Sequence, residues 1–146
     1  MTKYKQNSVL TATDAAYIAG LIDGEGTVTL TRKHKNENRH LCISISSTEI
    51  NLLDFVLTAT GVGKITNKRV TKSHHTHSYT YAVYNRQALT LLEQTLPFLK
   101  SYKRDLAALI LKDYLSVSHR NGKYIDEILV RKKEFERTVL AIKANR

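Results

Sequence analysis

The stretch YIAGLIDGEGTVTL, Tyr17 to Leu30, changes its period halfway: an apolar helical pattern runs into an alternating strand, with two acids and three glycines at the join. Thr11 and Thr13 are candidate caps ahead of DAAYIAGLID, and Asp14 in the first turn suits the positive end of the helix dipole. Gly24 and Gly26 should end that helix. TVTLTRK then alternates Thr27, Thr29, Thr31 and Lys33 with Val28, Leu30 and Arg32, which predicts a strand with one polar and one largely apolar face.

Outward from this join the pattern continues. HKNENRH reads as a turn and LCISIS as a second strand, with Leu41, Ile43 and Ile45 inward and Cys42, Ser44 and Ser46 outward. From Thr48 the spacing of Ile50, Leu53, Val56 and Leu57 is helical, and Gly61 and Gly63 close it. KITNKRV and YTYAVY form a second strand pair around the polar tip TKSHHTHS. RQALTLLEQTLPFL returns to helix, KRDLAALILKDYL is another, SVSHRNGKY is a basic loop, and DEILVRKKEFERTVLAIKA is a long amphipathic terminal helix. The class is α+β, in the order α-β-β-α-β-β-α with helices appended. The expected organisation is one domain over residues 1–146, with a core of about 11–116 and a C-terminal basic loop and helix over 117–146.

The chain has 146 residues, 42% of them hydrophobic, enough for a single core but cramped for two. Its one cysteine, Cys42, excludes an intrachain disulfide. No apolar run approaches a membrane span, and MTKYKQNSVL lacks a signal-peptide core, so a soluble, non-secreted protein is expected. Lys and Arg outnumber Asp and Glu 23 to 13, a formal charge of +10, which favours a polyanionic partner, nucleic acid first.

Ala16, Gly20 and Gly24 are spaced by four and form one small-residue stripe on the first helix, which lets another helix approach closely. Two such helices crossing on their stripes bring two Glu25 carboxylates together. Like charges held so close are costly unless divalent cations neutralise them, and carboxylate, carbonyl and water oxygens suit Mg2+. Packing alone is the plainer explanation of the same spacing.

IAGLIDGEG, Ile18 to Gly26, resembles the nine-residue motif of the LAGLIDADG homing endonucleases, identical at six positions, with Ile for Leu, Gly for Ala and Glu for Asp at the rest. The element order after it, the TGVGKI turn and LPFLKSYKRDLAALIL resemble the single-motif members, so the likeness covers roughly Thr13 to Leu115. The resemblance implies a saddle-shaped antiparallel sheet, a metal-binding carboxylate at Glu25 and a metal-holding carbonyl at Gly24. Glu25 departs from the motif's Asp, and its extra methylene carries the carboxylate outward. Asp23 is not the ligand; it is expected to cap or hydrogen-bond the helix end. Lys103 is the candidate for the lysine of the active site, with Lys100 the alternative, because the match needs a one-residue insertion in KSYKRD. Ser47, at the end of the second strand, is the candidate for positioning water.

With Val28, Leu30, Leu41, Ile43 and Ile45 packed under helices, Thr29, Thr31, Lys33, His40, Cys42 and Ser44 point from the opposite face, which can lie in a DNA major groove. Thr66 and Lys68 continue this face, and Tyr79, Tyr81 and Val83 inside leave Thr80 toward DNA. The tips add Lys35, Arg39 and His77, while Arg120 and Lys123 in the basic loop are phosphate candidates. His74, His75 and His77 also allow a transition-metal reading, the weaker one for want of a fourth ligand. The Lys and Arg of the terminal helix fit a solvated face equally well. The resemblance implies an intron-encoded homodimer with Ala16, Gly20 and Gly24 at its interface, cutting a long, roughly palindromic duplex with Mg2+ and leaving short 3′ overhangs. Mn2+ or Ca2+ can replace Mg2+ for binding. It places the protein in a bacterial or archaeal cytoplasm or an organelle matrix or stroma. A cleavage-inactive maturase bound to its own intron RNA, or a DNA-binding regulator, is the alternative. An unrelated RNA-binding domain fits less well, because the strands lack the aromatic-rich pattern of an RNA-recognition motif.

Overall fold

The computed structural model describes residues 5–32, 34, 39–67, 77–114 and 126–142, with 126–128 described by backbone alone. Helix α1 (Ala12–Glu25) leads into strands β1 (Gly26–Thr31) and β2 (His40–Ser47), then helix α2 (Ile50–Thr60) and strands β3 (Lys64–Asn67) and β4 (Tyr79–Tyr84). Helix α3 (Asn85–Thr95), a 3-10 turn at Leu96–Phe98, and helices α4 (Lys103–Asp113) and α5 (Asp126–Ala141) complete it. The strands form one antiparallel sheet in the order β1-β2-β4-β3. This is the α+β architecture expected from the sequence.

Local chemistry explains the joins. Thr11 caps α1 by accepting the Asp14 amide at 3.1 Å, and the Gly26 amide closes the helix on the Ile22 carbonyl. A Cβ at Gly26 would lie 2.7 Å from the Ile22 Cα, so only glycine lets the chain turn from helix to strand there. Gly61 ends α2 in the left-handed conformation, φ 71°. Gly63, at φ 100°, lies against the ring of Tyr81, whose hydroxyl donates to the Val62 carbonyl at 2.7 Å.

One core joins all the layers. Ile18, Ala19 and Ile22 of α1 pack with Val28, Leu30, Leu41, Ile43, Ile45, Tyr81 and Val83 from one face of the sheet, and with Leu53, Leu91, Leu92 and Ile110 from α2, α3 and α4. Tyr81 and Val83 are buried and Tyr79 is half-buried against the core, as the alternation requires. Phe135 and Val139 bring α5 into this core, where it meets α4 and the edge strand β1. Among the described residues no helix is long and apolar enough to cross a membrane.

Candidate nucleic-acid interface and reaction centre

The helices pack on one face of the sheet, and the register fixes which side chains occupy the other. Thr27 pairs with Ser44, Thr29 with Cys42 and Thr31 with His40; Ser46 pairs with Thr80, which pairs with Thr66 on its far side; Ala82 joins Ser44 to Lys64. The period of two therefore gathers Thr29, Thr31, His40, Ser44, Thr66 and Thr80 on one polar surface. Ser46 and Thr80 share a hydroxyl hydrogen bond of 2.9 Å across it. Thr27, Ser46, Lys64 and the exposed Tyr84 belong to the same surface and were not among the expected readers. Their strand parity with Thr29, Ser44, Thr66 and Thr80 was the signal available.

Three expected residues are placed otherwise. Cys42 has the right parity but is only 8% exposed, and its thiol is hydrogen-bonded to Tyr84 beside it. Burial, partly offset by that bond, pushes the thiol pKa up, so Cys42 stays a neutral packing group rather than a reader. Ser47 has the opposite parity to Ser46 and pairs with Tyr79 on the helix-covered side; its hydroxyl accepts the Glu49 amide at 3.0 Å ahead of α2. That bond holds the turn into α2. Arg39 turns its guanidinium onto the Leu30 carbonyl at 3.3 Å, which ties it to β1. His77 is exposed and stacks edge-on against Tyr79, ring centroids 4.9 Å apart. Lys33, Lys35, Lys68, His74, His75, Arg120 and Lys123 lie outside the described residues.

At the β1 entrance the motif helix delivers its acids. Glu25 is exposed at the end of α1, one residue before the sheet begins. Asp23 faces the other way and does more than end its own helix: its carboxylate accepts the Lys100 amide at 2.8 Å, the Ser101 amide at 3.2 Å and the Ser101 hydroxyl. Burial raises the Asp23 pKa, but these bonds and the Lys103 charge outweigh it and leave the carboxyl below its ordinary value. Lys103 answers from α4. Its Nζ donates to the Ile22 carbonyl at 2.8 Å and the Asp23 carbonyl at 3.0 Å, and the residue is 8% exposed. Burial lowers its pKa, against the pull of the Asp23 and Glu25 carboxylates. Lysine near the C-terminal carbonyls of a helix also suits the negative end of the dipole. Lys100 by contrast offers the site its backbone amide, with an exposed side chain.

The small-residue stripe has no partner among the described residues. Ala16, Gly20 and Gly24 are exposed, and a Cβ built on Gly20 or Gly24 would meet nothing within 4 Å. Their smallness serves no contact inside the described chain, unlike that of Gly26. Among the described residues, no three His, Cys, Asp or Glu side chains gather to hold a metal ion.

The family profile described as a LAGLIDADG-like domain matches residues 12–137. No curated protein sequence matches the chain significantly. Among solved structures, the homing endonuclease I-CvuI in complex with its target in the presence of Ca superposes with a TM-score of 0.73 at 17% identity, covering 92% of this chain and 85% of that one. The archaeal intron-encoded homing endonuclease I-Vdi141I, complexed with DNA, gives a TM-score of 0.59 at 16% identity over 92% and 86% of the two chains. I-CeuI, a group I intron-encoded homing endonuclease complexed with DNA, gives 0.58 at 18% identity over 94% and 69%. At such identities the likeness is one of fold, and it agrees with a sequence match that runs from the cap of α1 into α5: the chain belongs to the LAGLIDADG homing endonuclease family.

Proposed function

We propose that the protein is a site-specific DNA endonuclease that works as a homodimer on a long, roughly palindromic duplex. The observation that carries this reading is the join of α1 and β1, where an exposed Glu25 and an unfilled stripe of Ala16, Gly20 and Gly24 stand at one end of a polar sheet face. Two chains crossing on the stripe bring two Glu25 carboxylates together, one for each DNA strand, and set two sheets over adjacent half-sites. The sheet face reads base edges through hydroxyls and His40, while the formal charge of +10 draws in the phosphate backbone.

The donor set at the join fits a hard divalent ion such as Mg2+. One exposed carboxylate per chain, the Gly24 carbonyl and DNA phosphate oxygens make an oxygen-only environment, completed only when the second copy is present. Such an ion, when bound, polarises the scissile phosphate, activates water and stabilises the departing 3′ oxygen. Lys103 fixes the last turn of α1 through the Ile22 and Asp23 carbonyls, within electrostatic reach of Glu25. Cuts on the two strands, offset across the groove, leave short 3′ overhangs.

The test is cleavage of a plasmid library of randomised targets with Mg2+ by the wild type and by Glu25→Gln, with duplex binding followed in parallel. Specific cuts that vanish in Glu25→Gln while binding persists are expected. Tight binding by the wild type with no cut in any bound target would overturn the nuclease reading in favour of a cleavage-inactive maturase or regulator.

A further inference from the structure

Arg39 stands at the mouth of the β1–β2 hairpin, just before the last paired residues, Thr31 and His40. Its backbone is held from outside the sheet. The Arg39 amide donates to Glu136 Oε1 at 2.9 Å, and its carbonyl accepts from Lys132 Nζ at 3.3 Å, both from α5 and both more than ninety residues away in sequence. Its guanidinium ties the same point to Leu30 of β1. One residue is thus gripped by a helix on one side and a strand on the other.

Burial alone does not explain the chemistry of this grip. Lys132 is 2% exposed, lies 5.3 Å from the centre of the Tyr114 ring, and shares its helix face with buried Phe135 and Val139. An apolar side chain would fill the Lys132 volume at least as favourably, because desolvating an ammonium commonly offsets the attraction of its partner. What the polar pair adds is direction. Lys132 and Glu136 are one helical turn apart and bond the two polar groups of a single residue, which sets the height and register of the hairpin against α5.

We propose that Lys132 and Glu136 are positioning residues for sequence readout, fixing how the Thr31 and His40 end of the open face meets the duplex. The inference rests on the DNA-reading function proposed above. Thr31 and His40 form the pair on that face farthest along β1 from Glu25. Six strand residues span roughly 20 Å, or about six base-pair steps at roughly 3.4 Å each. The clamp therefore governs the base pairs most distant from the cut and leaves those beside Thr27, Ser44 and Ser46 alone. An unclamped hairpin has to be ordered on binding and accepts more than one base there.

The experiment compares the wild type with the Lys132→Met, Glu136→Leu double variant, which keeps the volume and removes the directed bonds. Randomised duplex pools selected by each protein give the base preference position by position, and amide hydrogen exchange on the free proteins follows Arg39. Preference at the distal positions should fall roughly tenfold in the double variant, with the proximal positions unchanged. The Arg39 amide should exchange at least about tenfold faster, while Ile43 and Tyr81 stay protected. Glu136→Gln, which keeps an acceptor for that amide, should restore the wild-type profile. Should the double variant fail to fold, Glu136→Ala carries the same expectation at smaller size. A folded variant whose preference is unchanged, or falls equally everywhere, overturns this inference alone, as does a wild-type Arg39 amide without protection. A wild type with no base preference at any position overturns it together with the DNA reading.

Discussion

The two ends of the open sheet face are held by the same chemistry used in two ways. At the Glu25 end, Asp23 of α1 accepts amides from the turn that leads into α4, and Lys103 of α4 donates to carbonyls of α1, so the two helices are locked in both directions. At the hairpin end, acid and lysine both come from α5 and grip the amide and carbonyl of one residue, Arg39. The first arrangement fixes the presentation of a single carboxylate. The second fixes the reach of a strand pair. In the proposed function a reaction centre has to be held to a fraction of an ångström, which bonds running both ways between two helices supply, whereas a reading hairpin needs only a set angle.

The largest break in this comparison should come from Lys103→Met. Removing the ammonium takes its donor from the Asp23 carbonyl, leaves the Ile22 carbonyl with the Gly26 amide, and takes a positive charge away from Asp23 and Glu25. The expected loss is about 2–3 kcal/mol in chemical denaturation, together with cleavage lost more completely than DNA binding. A variant that matched the wild type in both measurements would show that the lock is not what presents Glu25.

Much of the Glu25 end could be read from the sequence because it is local. IAGLIDGEG carries the helix, its end and the strand entrance within nine residues, and strand alternation placed Thr29, Ser44 and Thr80 on one face and Tyr81 and Val83 on the other. The hairpin end was not legible. Arg39 looked like a DNA contact because arginine near a polar strand usually is one, and nothing within the hairpin reveals that residues of α5 occupy its backbone. Cys42 and Ser47 show a second limit. Period two gives the face of a residue, with Ser46 outward and Ser47 on the helix side, but not that Cys42 is buried beside Tyr84, nor that the Ser47 hydroxyl is taken up by the Glu49 amide.

A smaller break, and one that pH can switch, is Asp23→Asn. The carboxylate accepts two amides and a hydroxyl, and its folded pKa lies below the ordinary value of 3.8. The unfolded chain therefore binds the proton more readily, and the stabilisation is present in full above the unfolded value and lost as pH falls through the folded one. The site is partly open to solvent, so the expected loss at neutral pH is modest, about 1–2 kcal/mol. The gap between wild type and variant, followed by urea unfolding from neutral pH downward, should close below 3.8. A gap that stayed constant into acid would mean that an amide serves the turn as well as a charge does.

Lys132→Met should be the mildest of the three, and its pH dependence should fall in the alkaline range and not in the acid one. Methionine fills the lysine's volume against Tyr114, while Glu136 keeps its bond to the Arg39 amide and is half-exposed, so the acid left behind is partly solvated. The expected loss is about 1 kcal/mol at neutral pH. Burial holds the Lys132 pKa below 10.5 against the attraction of Glu136. Between the folded and unfolded values the unfolded chain binds more protons, so the wild type gains stability as pH rises through that window and the variant does not. The difference between the two should widen on the alkaline side, where the Asp23 difference is flat. If it instead narrowed, the lysine would be stabilised in its charged form, and α5 would hold the hairpin as a salt bridge and not as a set of directed hydrogen bonds.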